Sequence, residues 1–146
     1  MKSLTVYVVA ITLLFGMVVS LRAEDKKTTP LESLFEGIKT NSTKTVYQML
    51  QKDPSLITAK SPRGETVLHV ASEKGNTELV RYLLKNGADI QALTVAKNKA
   101  IHFAASEGRI DTVRVLLEKG ALVNEPNASG LFPVQYAVAS GVIPLV

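Results

Sequence analysis

One segment of this chain occurs twice, 33 residues apart and without a gap. GETVLHVASEKGNTELVRYLLKNGADIQA (64–92) lies over KNKAIHFAASEGRIDTVRVLLEKGALVNE (97–125). His69 falls on His102, Ala71 on Ala104, Gly75 on Gly108, Leu83-Leu84 on Leu116-Leu117, and Gly87-Ala88 on Gly120-Ala121. The same step carries Gly64 past Lys97 to Gly130, and Gly75 through Gly108 to Gly141. A period of this length constrains the fold more than composition does. Each unit is one supersecondary motif that cannot bury both its faces, so units must stack and share their stability with neighbours.

Each unit reads as helix, turn, helix, loop. Thr66 precedes an apolar run and is placed to cap the first helix. Gly75 and Gly108 end that helix, where a left-handed residue is wanted. Asn76 or Thr77 can cap the second helix, and Glu78 and Asp111 suit its positive end. Ala71, Ala104, Ala105 and Ala137 are small, so adjacent first helices can pack closely. Leu79, Val80, Leu83 and Leu84 give the second helix one apolar side, and each such residue stabilises by about 1.5–3 kcal/mol when fully buried. Gly87 and Gly120 end the second helix, and ADIQA or ALVNE leads into an exposed loop.

The pattern T-x-L-H-x-A…G…V…LL…GAD at this period resembles the ankyrin repeat. Thr66, Leu68, His69, Ala71, Gly75, Val80, Leu83, Leu84, Gly87, Ala88 and Asp89 carry it in one unit. His102, Ala104, Gly108, Leu116, Leu117 and Gly120 carry it in the next. The resemblance covers 30–146 and implies an all-α solenoid of about three and a half stacked repeats. These are a degenerate capping repeat at 30–60, repeats at 61–93 and 94–126, and an incomplete repeat at 127–146. Val67 and Ala100 replace the family's usual proline. Phe132-Pro133 keeps that proline but loses the threonine, and Gln135 replaces the histidine, so weaker local capping is expected. In the first repeat Leu34, Val46 and Leu50 match Leu68, Val80 and Leu84 at an offset of 34, with the extra residue in the Asp53-Pro54-Ser55 turn.

His69 tempts a catalytic or metal-binding reading. A general base needs a partner and a nucleophile, and no Ser-His-Asp set is evident. There is no cysteine, and the two histidines form no helical His-x-x-x-His pair. His69 and His102 instead hold the same place in consecutive repeats. An imidazole near a helix start can donate and accept, tying the loop backbone of one repeat to the next. The expectation is a structural histidine, no catalytic residue, no metal site and no cofactor. Arg63-Gly64-Glu65 reads as a loop tip, and Tyr82 and Tyr136 as helix packing. Asn127-Ala128-Ser129 fits the N-glycosylation pattern, which matters only in a eukaryotic secretory pathway.

Ankyrin repeats are protein-binding scaffolds, and the resemblance implies that role here. Framework positions hold the stack, while loop tips and the open side of the first helices are free to vary. On this chain those positions are Pro62, Arg63, Glu65, Glu73 and Lys74, then Val95, Ala96, Asn98, Ser106 and Glu107. Ala128, Ser129, Leu131, Ala139 and Ser140 follow. They name a surface for a protein partner without identifying it.

The first residues are of another kind. MKSLTVYVVAITLLFGMVVSLRA opens with Lys2 and runs apolar from Leu4 to Val19, broken by Thr5, Thr12 and Gly16. Charge begins at Arg22. This is the pattern of a secretory signal peptide, with cleavage after Ala23 or, with Val18 at minus three, after Ser20. The alternative is an uncleaved anchor, for which the run falls slightly short of the ~20 residues a spanning helix wants. Either places the rest of the chain outside the cytoplasm, periplasmic or secreted in the first case and membrane-anchored in the second. Residues 24–29 read as an exposed linker. Removing Lys2 and Arg22 leaves 15 basic against 13 acidic residues. That balance, without a dense basic cluster, argues against a nucleic-acid surface. Membrane contact is expected only through the N-terminal segment.

Gly141 aligns with Gly108, so Val146 aligns with Val113 and the last repeat stops inside its second helix. The expectation is a fragment of a longer product whose apolar end, GVIPLV, is stabilised by extension. On that reading the chain could be the targeting portion of a longer enzyme or toxin. A tethered scaffold with an uncleaved anchor is a further alternative.

Overall fold

The structure, a computed structural model, describes residues 28–139. The apolar N-terminal run, most of the linker and residues 140–146 lie outside the described residues. Among the described residues seven α-helices follow one another as α1 (Pro30–Lys39), α2 (Thr43–Lys52), α3 (Val67–Lys74), α4 (Thr77–Lys85), α5 (Ala100–Ser106), α6 (Ile110–Glu118) and α7 (Pro133–Ala139). There is no strand among the described residues, as an ankyrin-like solenoid requires. No helix among them is long and apolar enough to cross a membrane.

Three helical hairpins, α1–α2, α3–α4 and α5–α6, stack in register. First helices form one layer, α1 on α3, α3 on α5 and α5 on α7. α4 and α6 pack as neighbours in the second layer. The close spacing of first helices follows from Ala71 and Ala104, both wholly buried. Leu34, Leu50, Leu68, Leu79, Leu83, Ile101 and Leu116 form the continuous core between layers. Tyr47 and Tyr82 join α2 to α4 edge to face, with ring centres 4.9 Å apart. The second leucine of each pair does less: Leu84 is half-buried, and Leu117, at the end of the stack, is 44% exposed.

Capping sets the helix limits. Thr29, the last residue of the expected linker, opens α1 with a capping box: Thr29 Oγ1 accepts from the Glu32 N–H, and Glu32 Oε2 accepts from the Thr29 N–H. Asn76 caps α4 by accepting the Leu79 N–H at 3.1 Å. Gly75 closes α3 in the left-handed region, at φ 75°. Any side chain there would also strike Arg109, whose Cδ lies 2.7 Å from where a Cβ would stand. The Asp53-Pro54-Ser55 turn, where the extra residue falls, is a short 3₁₀ helix (Pro54–Ile57), with Asp53 accepting the Ser55 N–H.

Candidate partner-binding face

Between hairpins the chain makes three equivalent loop tips. Ser61 donates its N–H to the Glu65 carbonyl, Thr94 to Asn98 and Asn127 to Leu131, at 2.9, 3.0 and 2.9 Å. The side-chain oxygens of Ser61, Thr94 and Asn127 accept in return from the N–H of Glu65, Asn98 and Leu131. Ser, Thr and Asn are interchangeable here because each offers an oxygen at short reach. The tips are then joined: the Val95 N–H donates to the Arg63 carbonyl and the Ala128 N–H to the Ala96 carbonyl, both at 2.9 Å. This backbone ladder holds the tips in line without using their side chains.

The histidines fasten the tips to the helices. His69 is 1% exposed. Its Nδ1 accepts the Thr66 N–H at 3.0 Å, so the ring proton sits on Nε2, between the carbonyls of Ala92 (3.1 Å) and Asn98 (3.2 Å). Burial pushes its pKa down to about 4, keeping the ring neutral. Both nitrogens are committed, which leaves none for a metal or a substrate. In the next repeat His102 Nδ1 accepts the Lys99 N–H at 3.2 Å. Its Nε2 is buried without a hydrogen bond, although the carbonyls of Glu125 and Leu131 are near enough to act on it. Burial lowers its pKa as well. Among the described residues no three His, Asp or Glu are grouped to hold a metal.

Lys99 stands where Thr66 stands one repeat earlier, and it is 4% exposed. Its Nζ donates to Gln91 Oε1 and Glu125 Oε2, each at 2.6 Å. Sequence reading missed this buried cation. The available signal was a lysine in place of the capping threonine, with an acid in the following loop.

A groove of ≈ 380 Å³ opens across α1, the first loop tip, α3 and α5. Phe35, Val70 and Phe103 floor it, and Lys39, Arg63, Glu65, Glu73, Ser106 and Glu107 rim it. The structure thus brings together five of the expected surface residues, Arg63, Glu65, Glu73, Ser106 and Glu107. It adds Lys39 and the three floor residues, which periodicity assigns to helices without saying which way they face. Pro62, Val95, Ala96, Ala128, Ser129 and Leu131 are exposed on the tips, outside this groove. Lys74 lines a different crevice, with Asn41 and Glu78 at the helix turns. Asn98 belongs to the frame, since its carbonyl accepts from His69 and its Oδ1 from Asn127 Nδ2. Ala139 ends α7, and Ser140 lies outside the described residues.

A family model described as Ankyrin repeats (3 copies) matches residues 34–127. The chain therefore belongs to the ankyrin-repeat family, whose repeats are protein–protein interaction modules. It is similar to Notch-regulated ankyrin repeat-containing protein A of Danio rerio, 37% identical over 59 residues, covering 38% of this chain and 53% of that protein. BRCA1-associated RING domain protein 1 of Homo sapiens is 50% identical over 36 residues, 25% of this chain and 5% of that protein. Ankyrin repeat protein B18 of Vaccinia virus (strain Copenhagen) is 36% identical over 64 residues, 42% of this chain and 11% of that protein. The matches span from a twentieth to about half of these relatives' length.

Proposed function

We propose that this chain is a non-enzymatic protein-binding scaffold, exported from the cytoplasm, whose partner seats in the groove across α1, α3 and α5. One observation carries the reading. Lys39, Arg63, Glu65, Glu73 and Glu107 ring an apolar floor, and their side chains make no hydrogen bond or ion pair among the described residues. Frame residues at comparable positions are engaged instead: Lys99 Nζ donates to Gln91 and Glu125, and Asn98 Oδ1 accepts from Asn127 Nδ2. Side chains of both signs left unpaired around aromatic and aliphatic residues make a surface suited to a protein segment. The exposed tips at Pro62, Val95, Ala96, Ala128, Ser129 and Leu131 extend the contact along the stack.

The test is affinity capture from the native extract with three forms of the chain. Arg63→Glu with Glu73→Lys inverts the rim, and Arg114→Glu changes an exposed charge on α6 as a control. The expected result is one protein retained by the wild type and the control and lost by the rim variant at unchanged melting temperature. A partner that follows the rim variant as well as the wild type would overturn the groove as its seat.

Export rests on the apolar run after Lys2 and on the abrupt return of charge at Arg22. The working domain then begins near residue 30, after cleavage at Ser20 or Ala23 and a short linker. Intact mass of the product from fractionated cells tests this. A soluble species lacking the first 20 or 23 residues is expected, and a membrane-bound species retaining Met1 would make the chain a tethered scaffold instead.

A further inference from the structure

The charges around the groove are sorted. Lys39 stands on its α1 edge, and Arg63 and Glu65 on the loop tip, whereas the edge made by the ends of α3 and α5 carries Glu73 and Glu107. Both of these carboxylates sit where their own helices least favour them. Glu73 is in the last turn of α3 and Glu107 follows the last residue of α5, each against the partial negative charge of a helix C-terminus. Neither side chain has an ion pair or hydrogen bond among the described residues. Arg109 lies over Gly75 and gives its Nε–H to the backbone carbonyl of Glu73 at 3.0 Å, not to the carboxylate. The remaining polar side chain of this edge is an acceptor too: Ser106 Oγ gives its proton to the Phe103 carbonyl at 3.0 Å and keeps only lone pairs to offer. Half-buried Phe103 adds an aromatic ring.

Resting on the groove as the partner's seat, we propose that the partner enters it with a short basic segment. One lysine or arginine lies against Glu73, Glu107, Ser106 and Phe103, and a neighbouring apolar side chain covers Phe35 and Val70. Complementarity selects this occupant. The α3–α5 edge offers acceptors and a ring but no side-chain donor, and lysine and arginine are the charged side chains that donate without accepting. An aromatic ring beside the carboxylates favours the same cations. An acidic segment would set its charge against two unpaired carboxylates. A neutral segment would take water from both and return no counter-charge. Segment 140–146, SGVIPLV, carries no cation and does not meet this demand. The rest of the domain carries an excess of basic residues, so this edge is acidic against the sign of the chain and draws a basic segment to itself.

Fluorescence polarisation tests the proposal, using the protein purified as the cell processes it and three labelled peptides. All share a central benzoylphenylalanine, and they differ only in flanks of lysine and arginine, of glutamine, or of glutamate. The basic peptide is expected to bind at least about tenfold more tightly than the glutamine peptide, with the glutamate peptide weakest. Glu73→Gln combined with Glu107→Gln should abolish that advantage at unchanged melting temperature. Asp111→Asn combined with Glu118→Gln removes the same charge from α6 and should preserve it. No binding of the basic peptide, equal binding of the basic and glutamine peptides, or an advantage that survives Glu73→Gln with Glu107→Gln would each overturn the basic segment. Illumination separates that failure from failure of the groove itself. Cross-links to Phe35, Val70 or Phe103 made as readily by the glutamine or glutamate peptide would keep the groove as the seat and reject only the charge of its occupant. Cross-links of all three peptides outside the groove would reject both. Affinity for the basic peptide that rises when Lys26 and Lys27 are changed to glutamine would also overturn the proposal, because the chain's own linker would then be the occupant.

Discussion

His69 Nε2 donates across the repeat boundary to the carbonyl oxygen of Asn98, 3.2 Å away, while its Nδ1 holds the N–H of Thr66 in its own helix cap. The ring thereby links a helix start to the loop that begins the next unit. This arrangement works only for the neutral ring. Protonating Nδ1 would turn the acceptor of the Thr66 N–H into a second donor facing it.

A pH dependence follows. The folded pKa of His69, about 4, lies below its ordinary value of 6.5. The unfolded chain therefore binds more protons between those values, and stability rises with pH across that window. The contribution is fully present above about pH 6.5 and is lost as pH falls toward 4, roughly 3 kcal/mol in all for this one group. Urea unfolding at several pH values should show that loss. His69→Gln should flatten most of the slope while lowering stability at pH 7 by about 1–3 kcal/mol, because a buried hydrogen-bonding frame is disturbed.

Lys97 sits in the left-handed region, at φ 56°, in the register that Gly64 and Gly130 fill at φ 76° and 75°. A side chain in that conformation costs roughly 1 kcal/mol more than glycine does. Lys97→Gly is therefore expected to stabilise by about 0.5–1 kcal/mol despite the added freedom of the unfolded chain. A shift of the urea midpoint to higher concentration, at unchanged slope, is the readout. No shift would mean that this tip relaxes its backbone around the lysine.

How far the fold was legible can be judged from such positions. The 33-residue register placed the helices, their glycine ends and the leucine core, because each of these depends on residue type at a fixed spacing. The same register marked Lys97 as the odd member of the Gly64 series. It could not show that Ser61, Thr94 and Asn127 do one job, since three different residue types share only an oxygen at the right reach. Nor could it find the groove. Phe35, Val70 and Phe103 look like core residues in sequence, and only the stacking of three separate helices brings them to one floor. Asn98 misled in the other direction: a polar residue beside a loop tip reads as surface, and its carbonyl and amide oxygen are both spent on the frame.

The ion pair of Lys99 and Glu125 calls for a double-mutant cycle. Lys99 is buried while Glu125 is about half exposed, so the pair is only partly shielded from water. Glu125→Gln removes the only anionic partner of a buried ammonium and leaves it neutral acceptors alone, Gln91 Oε1 and the amide oxygen in place of the carboxylate. This should cost about 1–3 kcal/mol, less than the loss expected for a fully buried pair. In a Lys99→Thr background, which restores the residue found at Thr66, the same change should cost less than about 0.5 kcal/mol. Equal costs in both backgrounds would show that Glu125 acts through some other neighbour.

Asn127 is 7% exposed, and its side chain is fully engaged. Oδ1 accepts from the N–H of Ser129 and of Leu131, and Nδ2 donates to Asn98 Oδ1 and Tyr136 Oη, all within 3.0 Å. The nitrogen that would carry a glycan is thus a structural donor in the folded chain, so occupancy of the Asn127-Ala128-Ser129 sequon and this fold exclude each other. Asn127→Ala removes the acceptor and both donors and should destabilise by about 2–3 kcal/mol. Asn127→Ser restores the tip's oxygen, as Ser61 supplies it in the first tip, but not the donors to Asn98 and Tyr136. It should recover about half of that loss. Urea unfolding of the two variants beside the wild type separates the terms. Equal stability of Asn127→Ala and Asn127→Ser would place the whole effect on the Nδ2 bonds and remove the shared oxygen as the reason three residue types serve the three tips.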